Sequence, residues 1–158
     1  MFKKILVGTD FSEPSDAARR TAVELARRLG AELEIVHVEE PLPAYAFSEG
    51  ALPDLPRLQE EVRNWAEREL EQQAKEARAA GVPVTTAVLL GTPANAIVEK
   101  ARADGADLIV AGTHGRTGLE RVLLGSVAER IVRNAPCPVL TVRNTPGAQQ
   151  GARPKAAA

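Results

Sequence analysis

The chain has 158 residues, of which 44% are hydrophobic and 26% are charged, and its formal net charge is −1. These values exclude a wholly disordered protein and fit one globular domain with a sizeable core. The near-neutral charge and the lack of any apolar run of roughly 18 residues predict neither a nucleic-acid nor a membrane partner.

The first elements are a strand and a capped helix. Lys4–Thr9 is a continuous apolar run, typical of a central parallel strand covered on both faces, and it ends at Asp10. Ser12 is the expected N-cap of the next helix, Pro14 falls in its first turn, and Gly30 ends it. The predicted inward positions of this helix are Ala18, Ala22, Leu25, Ala26 and Leu29.

A second strand is predicted at Leu33–Val38, where His37 is expected to be a packed core residue rather than a ligand. A proline-rich loop, Glu39–Asp54, follows and is longer than ordinary connections in compact domains. A long helix then starts near Asp54 and ends at Gly81. Its apolar face is predicted to consist of Leu58, Val62, Trp65, Ala66, Leu70, Ala74 and Ala77.

The second half of the chain continues the alternation of strands and helices. Strands are predicted at Val84–Leu90, Leu108–Ala111 and Val139–Val142. The third helix is predicted to begin at Thr92-Pro93, and its inward residues are Ala94, Ile97, Val98 and Ala101. The inward residues predicted for the fourth helix are Leu124, Val127, Ala128, Ile131 and Val132. The order βαβαβαβαβ predicts an α/β fold with an open five-stranded parallel sheet and helices on both faces. We expect one domain over residues 1–144 and a disordered tail over residues 145–158.

A glycine-rich stretch joins the fourth strand to the fourth helix. It contains Gly112, Gly115 and Gly118 before Gly125-Ser126, and Ser126 with Glu129 fits a capping box. A strand, a glycine-rich loop and a helix N-terminus together present backbone N–H groups to a phosphate. The stretch is neither a P-loop nor a dinucleotide fingerprint. The alternative is that the glycines only make a tight strand-to-helix connection.

The pattern Gly112-Thr113-His114-Gly115, nine residues, then Gly125-Ser126 resembles the nucleotide-binding signature of the universal stress protein family, in its ATP-binding branch. The start KKILVGTDFS, the strand VHV and the ending NAPCPVLTVR extend the resemblance from Lys4 to Arg143. It implies the flavodoxin-like strand order 3-2-1-4-5, in which the first and fourth strands are neighbours and their ends form one crevice.

The resemblance also implies roles for individual residues. Gly115, Gly125, Ser126 and Val127 would hold the phosphates, and His114 and Arg116 would add positive charge or donors there. Ala111 and Gly112 would line the ribose side, and the Val38 backbone would meet the adenine edge. Thr9 and Asp10 would approach the nucleoside, or Asp10 would hold a phosphate-bound Mg²⁺ through water. As alternatives, Asp10 could cap the first helix, His114 could be an ordinary loop residue, and Cys137 is expected to be structural.

The resemblance thus implies a small ATP- or AMP-binding regulatory protein of the stress response. A slow Mg²⁺-dependent ATPase and a flavin- or dinucleotide-binding electron-transfer module are the alternatives. It also implies a homodimer formed by antiparallel pairing of Val139–Val142 with its twofold mate. A single cysteine and an N-terminal apolar run too short for a signal peptide favour the cytoplasm.

Overall fold

The computed structural model describes residues 2–41, 55–113 and 124–143, where strands and helices alternate as predicted. The strands are β1 (Lys4–Gly8), β2 (Glu32–Glu39), β3 (Val84–Leu90), β4 (Leu108–Gly112) and β5 (Val139–Val142). The helices are α1 (Glu13–Leu29), α2 (Leu55–Ala79), α3 (Pro93–Asp104) and α4 (Ser126–Asn134). The predicted tail, 145–158, and most of the predicted loop, 39–54, lie outside the described residues.

The five strands form one parallel sheet in the order β3-β2-β1-β4-β5, which confirms the predicted topology. In the centre, β1 pairs with β4, and Val7 lies opposite Val110. One face of the sheet packs against α1 and α2, and the other packs against α3 and α4. The sheet is therefore covered on both sides, which explains why its central strands are continuous apolar runs.

Helix α1 begins and ends as its sequence predicts. The Ser12 side chain accepts a hydrogen bond from the Ser15 amide, and proline occupies the first turn. At the other end Gly30 has φ 63°, a left-handed conformation in which glycine lacks the steric cost of a Cβ atom. Of the predicted inward residues, Ala18, Ala22 and Ala26 are fully buried, while Leu25 and Leu29 are partly buried against the same core.

The inner face of α2 is shorter than predicted. Its last four predicted positions, Ala66, Leu70, Ala74 and Ala77, are buried, but Leu58, Val62 and Trp65 are 43%, 45% and 40% exposed among the described residues. The 25 residues of α2 span roughly 37 Å, whereas the seven residues of β3 span only about 23 Å. The helix is therefore longer than the strand β3, although Leu55 at its start is also buried. Neither α2 nor any other helix in the described ranges is long and apolar enough to cross a membrane.

A network of four charged residues lies at the amino ends of the central strands. Glu34 of β2 is 5% exposed and receives Lys100 Nζ of α3 at 2.9 Å and Lys4 Nζ of β1 at 3.7 Å. Asp104 completes the network, because its Oδ2 lies 2.7 Å from Lys100 Nζ and 3.3 Å from Lys4 Nζ. The hydrogen bond from Lys100 is the main reason why the pKa of Asp104 is lowered to about 2. The buried carboxylate is thus offset by two ammonium groups.

Candidate functional site

The carboxyl ends of β1 and β4 lie side by side at the centre of the sheet. The paired register runs through Val7 and Val110, so the segment after Gly8 lies next to the segment after Ala111. In the sheet, β2 and β3 lie on the outer side of β1, and β5 lies on the outer side of β4. Ligands of open α/β sheets bind at this position, where the strand order reverses. The structure therefore brings the predicted residues of β1 and β4 to one edge.

The turn that follows β1 is fixed by side-chain hydrogen bonds. Asp10 Oδ1 accepts from the Ser12 amide at 3.0 Å and from Ser12 Oγ at 2.5 Å. Thr9 Oγ1 accepts from the Phe11 amide at 3.1 Å and lies 3.2 Å from Ser15 Oγ. Asp10 therefore does not replace Ser12 as the cap of α1. It holds the capping residue, and its negative charge lies beside the positive end of the helix dipole.

His37 is 9% exposed, as predicted for a core residue, and it also contacts the end of β1. Its Nδ1 lies 2.8 Å from the Thr9 carbonyl oxygen. Because a carbonyl only accepts, Nδ1 must carry the proton of this hydrogen bond. Sequence reasoning missed this contact, since a histidine within a strand pattern does not reveal which backbone group it meets.

This contact leaves the backbone of Val38 open towards the site. The Thr9 amide donates to the Val36 carbonyl at 2.9 Å, so the polar backbone groups of Val36 face β1. Those of Val38, two residues on, face the same side. If the ladder continued, the Val38 amide would meet the Thr9 carbonyl, but that carbonyl accepts from His37 instead. Within the described ranges, β1 offers the Val38 amide and carbonyl no backbone partner.

The end of β4 is joined to the start of α4 by a backbone hydrogen bond. Ala111 is buried and Gly112 half-buried, and the Thr113 amide donates to the Val142 carbonyl at 2.9 Å. The Gly125 amide then donates to the Thr113 carbonyl at 2.8 Å. This bond brings the N-terminus of α4 to the edge that carries Asp10. The predicted site residues His114, Gly115 and Arg116 lie outside the described residues.

The N-terminus of α4 differs from the prediction in its cap. Gly125, with φ −58° and ψ 150°, is the N-cap, and Ser126 is the first helical residue. The capping-box prediction for Ser126 is wrong because the N-cap lies one residue earlier than that motif requires. Glu129 instead pairs with Arg133 at 2.7 Å, while its amide closes the first helical turn on the Gly125 carbonyl at 2.9 Å.

The available donors at this helix start also differ from the prediction. The amide of Gly125 is used by Thr113, so it does not point at a ligand. The amides of Ser126, Val127 and Ala128 belong to the first turn, where the helix provides no acceptor. Ser126 and Val127 are exposed. Because Gly125 has no side chain, it cannot cap these amides.

The inner face of α4 is narrower than predicted. Ala128 and Ile131 are buried and Leu124 is half-buried, but Val127 and Val132 are 41% and 50% exposed among the described residues. The helix has only nine residues and packs on α3 and the edge strand β5, so only one narrow stripe is covered. Leu140 of β5 is 37% exposed. These apolar side chains lie at the edge of the sheet that was predicted to form a dimer.

Comparisons with known proteins agree with this architecture. The universal stress protein MJ0531 of Methanocaldococcus jannaschii is 42% identical over 144 residues, which cover 90% of this chain and 83% of that protein. The solved structure of the protein MJ0577 has a TM-score of 0.80 at 31% identity and covers 92% of this chain and 98% of that one.

Two further solved structures contain adenine nucleotides. A universal stress protein in complex with cAMP has a TM-score of 0.66 at 27% identity, covering 91% of this chain and 99% of that one. The universal stress protein of Archaeoglobus fulgidus in complex with dAMP has a TM-score of 0.61 at 25% identity, covering 89% and 97%. The model of the universal stress protein family matches residues 1–143, which include every described element of the sheet. Because this model covers most of the chain and a relative is 42% identical, the chain belongs to the universal stress protein family.

Proposed function

We propose that this protein binds an adenine nucleotide, ATP or AMP, at the carboxyl ends of β1 and β4, and that occupancy controls its conformation or partners in a stress response. The observation that carries this proposal is the hydrogen bond from the Gly125 amide to the Thr113 carbonyl. It brings an uncapped helix N-terminus to the strand end beside Asp10. The cAMP and dAMP complexes of related proteins support adenine and phosphate as the ligand groups.

The phosphate end of the proposed site is the start of α4. The amides of Ser126 and Val127 point along the helix axis, and the helix dipole adds partial positive charge in the same place. Gly125 leaves space where a capping side chain would otherwise compete with the phosphate. His114, Gly115 and Arg116 remain predicted contributors to this end.

The nucleoside end lies across β1 and β2. The Val38 amide and carbonyl form a donor–acceptor pair that suits the edge of adenine, and they face the side on which the β1 ladder has ended. Thr9 and Asp10 lie between this pair and Gly112 of β4, where they would contact the ribose. From β2 to β4 the site spans about 10 Å, which is two strand spacings.

The described residues fit an indirect role for Mg²⁺ and not a protein-bound metal site. Within the described ranges there is no group of three or more His, Cys, Asp or Glu side chains that could hold a metal ion. Mg²⁺ would therefore be held mainly by the phosphates, whose charge it would neutralise, and Asp10 would contact it through water. The hydrogen bonds from Ser12 fix the Asp10 carboxylate in one orientation for this role.

Binding can be tested by Gly125→Val. The negative φ at Gly125 accommodates a side chain, so we expect this variant to fold with an unchanged circular dichroism spectrum. The valine side chain would occupy the space in front of the Ser126 and Val127 amides, and ATP binding measured by calorimetry should be lost. Asp10→Ala should weaken binding by only about 1–2 kcal/mol, the scale of one charged hydrogen bond.

Val132→Ala serves as the control, because Val132 is an exposed residue of the same helix away from its N-terminus. It should bind ATP like the wild type. If folded Gly125→Val binds ATP with unchanged affinity, the proposed phosphate position is wrong. Mass spectrometry of small molecules that co-purify with the wild-type protein would identify which adenine nucleotide it carries.

A further inference from the structure

Phe11 is the one non-glycine residue with a positive φ, 61°, in the part of the chain that the structure describes. A side chain in this left-handed region crowds the backbone, so most residues avoid it. Phe11 follows Asp10 in the turn between β1 and α1. Strained backbone at such a place is often maintained because it positions a functional group.

The ring of Phe11 has partners that hold it in place. Its centroid is 4.5 Å from that of His37 and 5.0 Å from that of Trp65, the latter in an edge-on arrangement. The Phe11 amide donates to Thr9 Oγ1, and His37 in turn contacts the Thr9 carbonyl. Aromatic contacts at these distances are favourable and offset the steric cost of the turn.

The left-handed turn determines where Asp10 points. The chain reverses at Phe11, which returns the Ser12 amide and hydroxyl to Asp10 Oδ1. With Phe11 in an extended or right-handed conformation, Ser12 would leave this position and the Asp10 carboxylate would lose both donors. Thr9 would also lose the hydrogen bond from the Phe11 amide.

We propose that Phe11 is a positioning residue for the nucleotide site: its ring, packed against His37 and Trp65, holds the left-handed turn that aims Asp10 at the nucleoside. This inference rests on the proposed function and adds a residue that contacts no nucleotide itself. It predicts that affinity depends on how readily residue 11 adopts positive φ, and not on whether the ring is present.

The test compares Phe11→Gly, Phe11→Asn, Phe11→Ala and Phe11→Val in the full-length protein. All four remove the ring, but glycine and asparagine adopt the left-handed region readily while alanine and valine do not. We expect ATP and AMP to bind Phe11→Gly and Phe11→Asn within about threefold of the wild type. Phe11→Ala should bind about five- to tenfold more weakly than Phe11→Gly, and Phe11→Val more weakly still.

A second measurement separates positioning from general loss of packing. Trp65 is the only tryptophan of the chain, so its emission reports the loss of the ring contact. In the absence of nucleotide, all four variants should change this emission to a similar extent, although only two of them lose affinity. Thermal melting checks that each variant is folded before its affinity is compared.

Several results would overturn the inference. If the four folded variants weaken binding equally, the ring acts only through packing. If none weakens binding, or if Phe11→Gly binds more weakly than Phe11→Ala, the turn does not position Asp10. If the wild type binds neither ATP nor AMP at millimolar concentration, the proposed function itself fails and the positioning role fails with it.

Discussion

Gly8 allows α3 to pack closely against β1, and replacing it tests that packing. A Cβ atom at Gly8 would lie 2.7 Å from Ile97 Cδ1, well inside the 3.5–4.0 Å of a favourable carbon–carbon contact. Ile97 is only 6% exposed, so its terminal methyl has little room to move. Overpacking of this kind costs about 1–3 kcal/mol, while alanine gains about 0.5–1 kcal/mol over glycine in a strand. We therefore expect Gly8→Ala to destabilise the fold by up to about 2.5 kcal/mol.

The clash is specific to one atom, which gives a double-mutant test. Ile97→Val removes Cδ1 and leaves Cγ1 at 3.6 Å from the new Cβ, an ordinary contact. Alone, Ile97→Val should cost about 0.5–1.5 kcal/mol. In that background Gly8→Ala should no longer destabilise, and the double variant should be at least as stable as Ile97→Val.

The free energies of unfolding can be measured by urea denaturation. Ile109→Val provides the control background, since Ile109 is fully buried in the same core but is not among the atoms that a Cβ at Gly8 would meet. In the Ile109→Val background, Gly8→Ala should still lower the free energy of unfolding. Additive free energies in the Ile97→Val background would refute the contact between Gly8 and Ile97 as the reason for glycine at this position.

Three further predictions concern charge, capping and assembly. Because Lys100 lowers the pKa of Asp104 to about 2 from 3.8, this carboxylate stabilises the fold above pH 3.8, and that stability is lost as the pH falls towards 2. Lys100→Met should flatten this acid dependence in denaturant titrations, whereas Arg102→Met, which removes an exposed partner of Glu99, should not. Ser12→Ala removes the side-chain cap of α1 and should cost about 0.5–2 kcal/mol in the free energy of unfolding, and equal stability would contradict the capping role. Light scattering should give about twice the 16.8 kDa of one chain if β5 pairs with its twofold mate, and a monomer at micromolar concentration would exclude that dimer.

The elements that follow from local chemistry were predictable. The cap at Ser12, the glycine after α1 and the strand Val84–Leu90 depend on neighbouring residues, and the structure confirms them. The strand order came from the family resemblance, because periodicity reveals elements but not which strands are neighbours. The approach of Gly125 to Thr113 is likewise a contact between β4 and α4 that no single motif specifies.

The sequence-based predictions were wrong at the ends of helices, near the edges of the sheet. Leu58, Val62 and Trp65 continue the helical stripe of α2, but periodicity does not report how much sheet lies beneath a helix. The cap of α4 moved by one residue, a shift within the usual uncertainty of a helix boundary. The positive φ of Phe11 was not predicted, since an aromatic residue after a strand gives no sign of a left-handed backbone.

The charges around Glu34 and the edge beside Asp10 lie at opposite ends of the strands. Glu34 lies opposite Leu6, four residues before Asp10, which is a separation of about 13 Å along the strand and exceeds the screening length of about 8 Å at physiological ionic strength. Replacing Lys4, Lys100 or Asp104 should therefore change the acid tolerance of the fold with little effect on the electrostatics of the proposed nucleotide site. Versions of this scaffold with altered acid resistance are therefore expected to keep the proposed binding edge intact.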